Sequence, residues 1–174
     1  ALGKLKKAHP EKTVILGGVG PSEVAREILE GFSCVDYVVA GCGIASLPEL
    51  IRTLSGCGGK KEEIRGLVFR SSGGVVSNRP AGLSRNIPKL PEYADLKDSG
   101  DYKVFLISTS SGCPYKCTFC CAAPSCGRVV RNRQLPDVVD EIKAIKKLKG
   151  RRRFVVRIID EAFIVNRSRV MDFC

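Results

Sequence analysis

The run VFLISTSSGCPYKCTFC, at residues 104–120, joins a strand to a cysteine-rich loop. Residues 104–109 are apolar or hydroxyl-bearing, which predicts a buried strand. Cys113, Cys117 and Cys120 then follow at a C-x3-C-x2-C spacing. Clustered thiolates in one short loop can hold an iron–sulfur cluster, and three ligands leave the fourth iron of a 4Fe–4S cluster without a protein ligand. The stretch therefore predicts a 4Fe–4S site with an open coordination position, at the strand end where α/β folds gather their active sites.

A structural zinc site is the alternative that the same thiols leave open. Zinc usually takes four protein ligands, and Cys121 or Cys126 could supply the fourth. Zinc sites more often show paired CxxC or Cys/His sets, which favours the iron–sulfur interpretation. Cys121 directly follows a ligand and is expected to point away from the metal, and Cys126 is expected to be a plain loop thiol.

Upstream of this loop, strand and helix patterns alternate. The predicted elements are strands at 13–16 and 35–40, helices at 21–31 and 46–54, and a hairpin formed by 63–70 and 75–76. Val24, Ile28 and Leu29 are expected to line the buried face of the first helix, which Gly31 ends, and Ser46 is expected to be the N-cap of the second. This order predicts a doubly wound α/β sheet.

Downstream of the loop, the pattern repeats. An apolar stripe predicts a helix over 136–149, a strand follows at 154–159, and a further helix begins at 167. This βαβα order is that of the opening of a parallel barrel. Residues 77–103 contain prolines and charges without a sustained period, which predicts a linker, so the domain boundaries are 1–76, 77–103 and 104–174.

Composition excludes several classes of protein. The 174 residues are 44% hydrophobic and 27% charged, typical of a globular chain, and no apolar run is long enough to span a bilayer. Nine cysteines without an apolar signal core indicate a reducing, cytoplasmic setting. The net charge of +11 is concentrated in residues 128–153, which we interpret as a solvated helix face, because no aromatic residues interleave for base stacking; nucleic acid is therefore an unlikely partner. The chain lacks a starting Met, so we expect a piece of a longer protein.

The cysteine loop resembles the signature of radical S-adenosylmethionine enzymes. The matching residues run from Thr109-Ser110 through Gly112-Cys113-Pro114 to Cys120. The resemblance implies that Cys113, Cys117 and Cys120 bind the cluster and that the amino acid moiety of S-adenosylmethionine chelates the open iron. One electron then cleaves the sulfonium to give a 5′-deoxyadenosyl radical. Phe119 is implied to pack near the adenine.

Other segments are similar to the members of this family that carry an N-terminal cobalamin-binding domain. They are residues 9–10, 15–18, 35–41 and 47–50 upstream of the loop, and 131–133, 138–142 and 159–163 downstream of it. The resemblance implies that Asp160 and Glu161 approach the amino group of S-adenosylmethionine. Gly17 and Gly18 would lie against the cobalamin nucleotide tail, although a tight βα turn explains these glycines equally well. Arg131 and Arg133 would pair with carboxylates or a phosphate, or lie at the surface.

The implied fold is α/β: the C-terminal half of a Rossmann-like cobalamin-binding domain, followed by the start of a parallel (β/α) radical S-adenosylmethionine barrel. The implied enzyme is a transferase or rearrangement catalyst that uses cobalamin, acts on a small molecule or natural product, and takes electrons from a flavodoxin or ferredoxin; the isolated chain is expected to be inactive. Two alternatives remain open. One is a methylthiotransferase acting on RNA or protein, for which Cys34, Cys42 and Cys57 would have to hold a second cluster. The other is a zinc-stabilised basic nucleic-acid-binding module.

Overall fold

The computed structural model of the chain describes residues 1–81, 101–121 and 127–174. Its internal contacts divide these residues into two units. The first unit consists of residues 1–81 and 116–121, and the second of residues 101–115 and 127–174. Most of the predicted linker, at 82–100, lies outside the described residues, so the domain boundaries remain predictions.

The first unit contains a four-stranded sheet with the order β1-β2-β3-β4. Its strands are β1 (Ile15–Gly17), β2 (Tyr37–Val39), β3 (Leu67–Ser71) and β4 (Gly74–Ser77). β1 and β2 are parallel, whereas β3 pairs antiparallel with both β2 and β4. The expected hairpin is therefore confirmed, but it joins the sheet and makes it mixed. Pairing with β3 supplies hydrogen-bond partners to the edge of β2 that would otherwise be exposed.

In the described part of this unit the sheet is accompanied by the α-helices α1 (Leu2–Ala8), α2 (Val19–Glu23), α3 (Ala25–Gly31) and α4 (Gly43–Leu54). The single helix predicted over 21–31 is thus two helices, which meet at Val24 with φ −128°. Val24 is 45% exposed, so its predicted place on the buried face is wrong. Ala25 and Leu29, spaced i and i+4 in α3, are buried instead.

Helix α4 begins earlier than predicted, and Ser46 is not its cap. Cys42 occupies the N-cap position, and Ser46 lies inside the helix, 2% exposed. The hydroxyl of Ser46 donates to the carbonyl oxygen of Arg65 at 2.6 Å. The helix therefore turns Ser46 and Leu50, four residues apart, toward the core.

Apolar side chains fill both faces of the first sheet. One cluster gathers Leu29 of α3 with Val38 and Val68, and the other gathers Leu50 of α4 with Val39 and Phe69. Because neighbouring strand residues point to opposite faces, α3 and α4 cover opposite sides of the sheet. This three-layer arrangement is the one that the strand–helix alternation predicted.

The second unit is built on a βαβ crossover. Its elements are β5 (Val104–Ile107), β6 (Ser110–Ser111), β7 (Arg131–Asn132), α5 (Leu135–Lys149), β8 (Val155–Ile158) and α6 (Arg167–Phe173). β5 and β8 pair in parallel, and α5 packs Val138 and Ile145 against Phe105 and Ile107. The predicted strand, helix and strand are confirmed, as an open two-stranded sheet rather than a closed barrel. None of the helices in the described ranges is long and apolar enough to cross a membrane.

Candidate cluster-binding site

Asp160 is the second residue after β8, at the carboxyl end of the second sheet. One carboxylate oxygen accepts from the Thr109 backbone N–H at 2.6 Å and lies 3.3 Å from the Ser108 hydroxyl, which donates to the Ser110 carbonyl oxygen at 2.6 Å. The other carboxylate oxygen accepts from the hydroxyls of Thr109, at 2.5 Å, and Ser110, at 2.8 Å. Both oxygens of this predicted cofactor-binding residue therefore bind the turn that leads from β5 to the cysteine loop.

The two ends of the cysteine loop are held together by a short antiparallel ladder. Ser110 pairs with Asn132 and Ser111 with Arg131. Two residues beyond Ser111, the Cys113 N–H donates to the Gly127 carbonyl oxygen at 3.0 Å. The loop therefore leaves and re-enters the second unit at one fixed place.

A buried ion pair lies beneath this ladder. Arg133 donates to Glu141 at 2.7 Å, and their side chains are only 9% and 3% exposed. The same Arg133 guanidinium donates to the Ser108 carbonyl oxygen at 2.8 Å. A carboxylate partner, a phosphate partner and a surface position were all compatible with the sequence around Arg133, and the structure shows the carboxylate pair.

The three predicted cluster ligands are free thiols. Cys113 is half-buried and belongs to the second unit, whereas Cys117 and Cys120 are exposed and belong to the first. The Cys120 N–H donates to the Cys117 carbonyl oxygen at 3.2 Å, which makes a tight turn between these two ligands. Within the described ranges, no three His, Cys, Asp or Glu side chains are grouped closely enough to hold a metal ion. The donor set fits a cluster in its chemistry, because thiolates are iron–sulfur ligands, and the ligand assignment remains a prediction.

The other predicted residues around the loop are accessible. Phe119 is 89% exposed. Glu161 is exposed and accepts from the Gly112 N–H at 3.3 Å. Cys121 is an exposed free thiol, and Cys126 lies outside the described residues.

In the first unit, Gly17 and Gly18 form the turn between β1 and α2. Gly18 has φ +91° at the N-cap of α2, a conformation that favours glycine. A Cβ on Gly17 would make an ordinary contact of 3.5 Å with the Val39 carbonyl oxygen. A cavity of about 510 Å³ opens nearby in the same unit, lined in part by Ser22, Gly41 and Asn78, but Gly17 and Gly18 do not line it. The turn explains Gly18, and the predicted cobalamin contact remains a prediction.

Sequence reasoning missed the hydroxyls that receive Asp160 and the contribution of Arg169. Arg169, in α6, donates to the Thr109 carbonyl oxygen at 3.2 Å. The feature of the sequence that could have indicated these hydroxyl partners is the run of hydroxyl-bearing residues at 108–111, which directly follows an apolar strand.

Comparison with curated proteins finds relatives that align with most of the chain. An uncharacterized methyltransferase of Pyrococcus horikoshii is 27% identical over 173 residues, covering 96% of this chain and 37% of the relative. A putative methylthiotransferase of Methanocaldococcus jannaschii is 30% identical over 155 residues, covering 87% and 32%. The hopanoid C-3 methylase of Methylococcus capsulatus is 32% identical over 158 residues, covering 84% and 29%. The chain thus spans about a third of the length of these relatives, and no family model matches it.

Two solved enzymes share the fold. The radical S-adenosylmethionine methyltransferase TsrM of Kitasatospora setae superposes with a TM-score of 0.72 at 22% identity, over 99% of this chain and 35% of TsrM. OxsB, a cobalamin-dependent S-adenosylmethionine radical enzyme, superposes with a TM-score of 0.75 at 22% identity, over 98% of this chain and 25% of OxsB. The chain resembles the cobalamin-dependent radical S-adenosylmethionine enzymes.

The resemblance that the cysteine motif predicted is therefore confirmed. The structures of these cobalamin-dependent radical enzymes contain the cofactors that the sequence implied: TsrM has been solved with cobalamin and a [4Fe-4S] cluster, and OxsB with aqua-cobalamin and S-adenosylmethionine. The shared fold accounts for the two α/β units of this chain.

Proposed function

We propose that this chain is part of a cobalamin-dependent radical S-adenosylmethionine enzyme that transfers a methyl group to a small molecule. The observation that carries the proposal is the cysteine loop itself. It departs from the carboxyl end of a parallel βαβ unit, and both of its ends are fixed by the β6–β7 ladder. Active sites of α/β folds gather at this end of the strands.

Cys113, Cys117 and Cys120 are the proposed ligands of a 4Fe–4S cluster. All three are free and at least partly accessible, as ligands loaded after folding must be. When bound, such a cluster supplies the electron that cleaves the sulfonium of S-adenosylmethionine. The protein's part is to hold the thiolates in one loop and to leave one iron open.

Glu161 and Phe119 are the proposed contacts to S-adenosylmethionine. Glu161 keeps an exposed carboxylate beside Gly112, one residue before the first ligand, where it can meet a cationic amino group. Phe119 directly precedes Cys120 and offers an exposed apolar ring on which an adenine can stack. Both side chains are exposed.

Cobalamin is the proposed partner of the first unit. The unit is an α/β layer structure whose fold matches that of TsrM and OxsB. Its cavity opens beyond the carboxyl end of β2, at Ala40 and Gly41, and ligands of open α/β sheets bind at such ends. Gly17 and Gly18 lie at the same end of the neighbouring strand β1.

The first experiment is anaerobic reconstitution of the chain with iron and sulfide, followed by analysis of iron, sulfide and zinc. We expect about four irons per chain and a broad visible absorption band. Cys117→Ala should lose most of the bound iron, whereas the matched control Cys121→Ala should retain it. Uptake of zinc without a stable cluster would overturn the proposal in favour of the zinc-stabilised module.

A methylthiotransferase is the second candidate, because one relative is named a putative methylthiotransferase. The two candidates differ in iron content, since the second reaction needs another cluster of its own. The full-length gene product should bind about four irons for methyl transfer and about eight for methylthio transfer. Cys34→Ala and Cys42→Ala leave iron content unchanged in the first case and lower it in the second.

A further inference from the structure

Asp160 and Glu161 are adjacent acids with opposite surroundings. Both oxygens of the Asp160 carboxylate accept hydrogen bonds from the turn at 109–110: one from the Thr109 N–H, the other from the hydroxyls of Thr109 and Ser110. Glu161 is exposed, and among the described residues its carboxylate accepts from the Gly112 N–H at 3.3 Å. A carboxylate whose oxygens are both taken by protein donors has little capacity left for a ligand, because each oxygen has only two lone-pair directions.

Thr109 forms hydrogen bonds with three other segments of the second unit, through Asp160, Arg133 and Arg169. It is 1% exposed, and Asp160 accepts from both its N–H and its hydroxyl. Its carbonyl oxygen accepts from the Arg133 N–H at 2.9 Å and the Arg169 guanidinium at 3.2 Å. Every polar group of this buried residue is therefore satisfied, so that its position is strongly determined.

These contacts tie the two ends of the cysteine loop to one another. Thr109 lies before the loop, four positions ahead of Cys113, and Arg133 lies after it. Arg133 is itself held by the buried pair with Glu141. The parallel register explains why Asp160 reaches this point: Ile107 is opposite Ile158, and extending the register by two residues brings residue 160 opposite Thr109.

We propose that Asp160 is a positioning residue that fixes the start of the cysteine loop, and that Glu161 alone of the two acids faces S-adenosylmethionine. This inference rests on the proposed function for the identity of the ligand. The turn at 108–110 determines where Cys113 lies, because Cys113 is only two residues beyond the paired residues Ser110 and Ser111. Loss of Asp160 therefore acts on cluster retention first, and loss of Glu161 acts on S-adenosylmethionine binding alone.

The test is amide hydrogen exchange on the metal-free full chain, which needs no cluster. In Asp160→Ala we expect exchange at Thr109 and Cys113 to be about 10- to 100-fold faster, which is the range for losing hydrogen bonds to a charged group. In Asp160→Asn the side-chain oxygen still accepts from the Thr109 N–H, so protection should be partly rescued. In Glu161→Gln exchange at both amides should stay within about twofold of wild type.

Peptides from the middle of α5 are the reference for global unfolding, since Ile145 is fully buried there. A positioning role accelerates exchange at 108–113 and leaves the α5 reference unchanged. General destabilisation accelerates both, and that outcome would overturn the proposal. Where Asp160→Ala fails to fold, the comparison between Asp160→Asn and wild type decides.

After reconstitution, iron content and S-adenosylmethionine binding are measured by metal analysis and equilibrium dialysis. We expect Asp160→Asn to retain less iron, with unchanged affinity for S-adenosylmethionine per intact cluster. Glu161→Gln should retain all of its iron and bind S-adenosylmethionine at least tenfold more weakly. Normal protection and iron content in Asp160→Asn, with weakened S-adenosylmethionine binding, would assign Asp160 to the ligand and contradict the inference. A wild-type chain that takes up no cluster contradicts the proposed function, while the exchange result still stands.

Discussion

Gly112, immediately before the first predicted cluster ligand, adopts a backbone conformation that favours glycine. Its φ is +97°, and a Cβ at this position would lie 2.4 Å from the Val129 carbonyl oxygen and 3.1 Å from that of Gly127. The main chain of the returning segment thus passes where a side chain would be. The glycine allows the two ends of the cysteine loop to approach each other.

Gly112→Ala is therefore expected to destabilise the second unit. The positive φ alone costs about 1–3 kcal/mol in the free energy of unfolding, and the contact with Val129 adds to it. Gly150→Ala is the matched control, because Gly150 has φ +57° but no atom within 4 Å of the added Cβ. Urea unfolding followed by circular dichroism measures both. Equal losses in the two variants would show that the close approach to Val129 contributes nothing.

At this scale the sequence offers candidate ligands but does not indicate the residues that support their loop. Three cysteines in one loop can be recognised as candidate ligands, because iron–sulfur clusters are held by clustered thiolates. The hydrogen-bond partners of Asp160 could not be predicted from the sequence, because they depend on the register between β5 and β8, and a helix separates these two strands in the chain. A polar residue at a strand end fits both a ligand contact and a structural brace.

Among the elements, α5 was the most predictable. Its apolar stripe gave the helix within one residue of the observed start at Leu135, and its end at Lys149 is as predicted. Prediction was poorer for α2 and α4, whose first turns follow the glycine turns at Gly18 and Gly41, and for α3, which begins after the break at Val24. The mixed pairing of β3 was also missed, since neither strand pattern indicates which neighbour it will meet.

Arg70, on β3, supports the end of α3. Its guanidinium donates to the carbonyl oxygens of Leu29 at 2.5 and 3.0 Å, Phe32 at 2.8 Å and Val35 at 2.6 Å. The last carbonyls of a helix have no partner within the helix, so this side chain supplies what the local backbone lacks. A sequence gives no sign of such a long-range cap.

Arg70→Lys should lower the free energy of unfolding of the first unit by about 1.5–3 kcal/mol, because an ammonium cannot reproduce the planar fork of donors. Arg52→Lys, at an exposed position in the last turn of α4, is the control and should change it by less than about 0.5 kcal/mol. Urea midpoints of the two variants provide the measurement. A change in Arg70→Lys no larger than that of the control would mean that the guanidinium bonds contribute no net stability.

For the molecule as a whole, the α/β fold that the resemblance implied is confirmed, and the sheet of the second unit is open on one face. Parallel sheets are normally covered on both faces. Here α5 covers the face that carries Phe105 and Ile107, which are 4% and 0% exposed. On the other face Val104, Leu106 and Val155 are 42%, 55% and 57% exposed. The sequence pattern cannot predict this exposed face, because the alternation of residues in a strand indicates which residues share a face but not what packs against that face.

This apolar face is expected to make the isolated chain self-associate, because contiguous exposed apolar surface drives association. Leu106→Lys places a charge at its centre without touching the side packed on α5. We expect weaker binding of an apolar dye and a shift toward monomer in sedimentation velocity, with the circular dichroism spectrum unchanged. Val129→Lys, on a loop residue that is 69% exposed, is the control for added charge alone. Of the two substituted residues, Leu106 lies on the open sheet face and Val129 does not. Equal shifts in the two variants would therefore mean that net charge, and not this face, governs self-association.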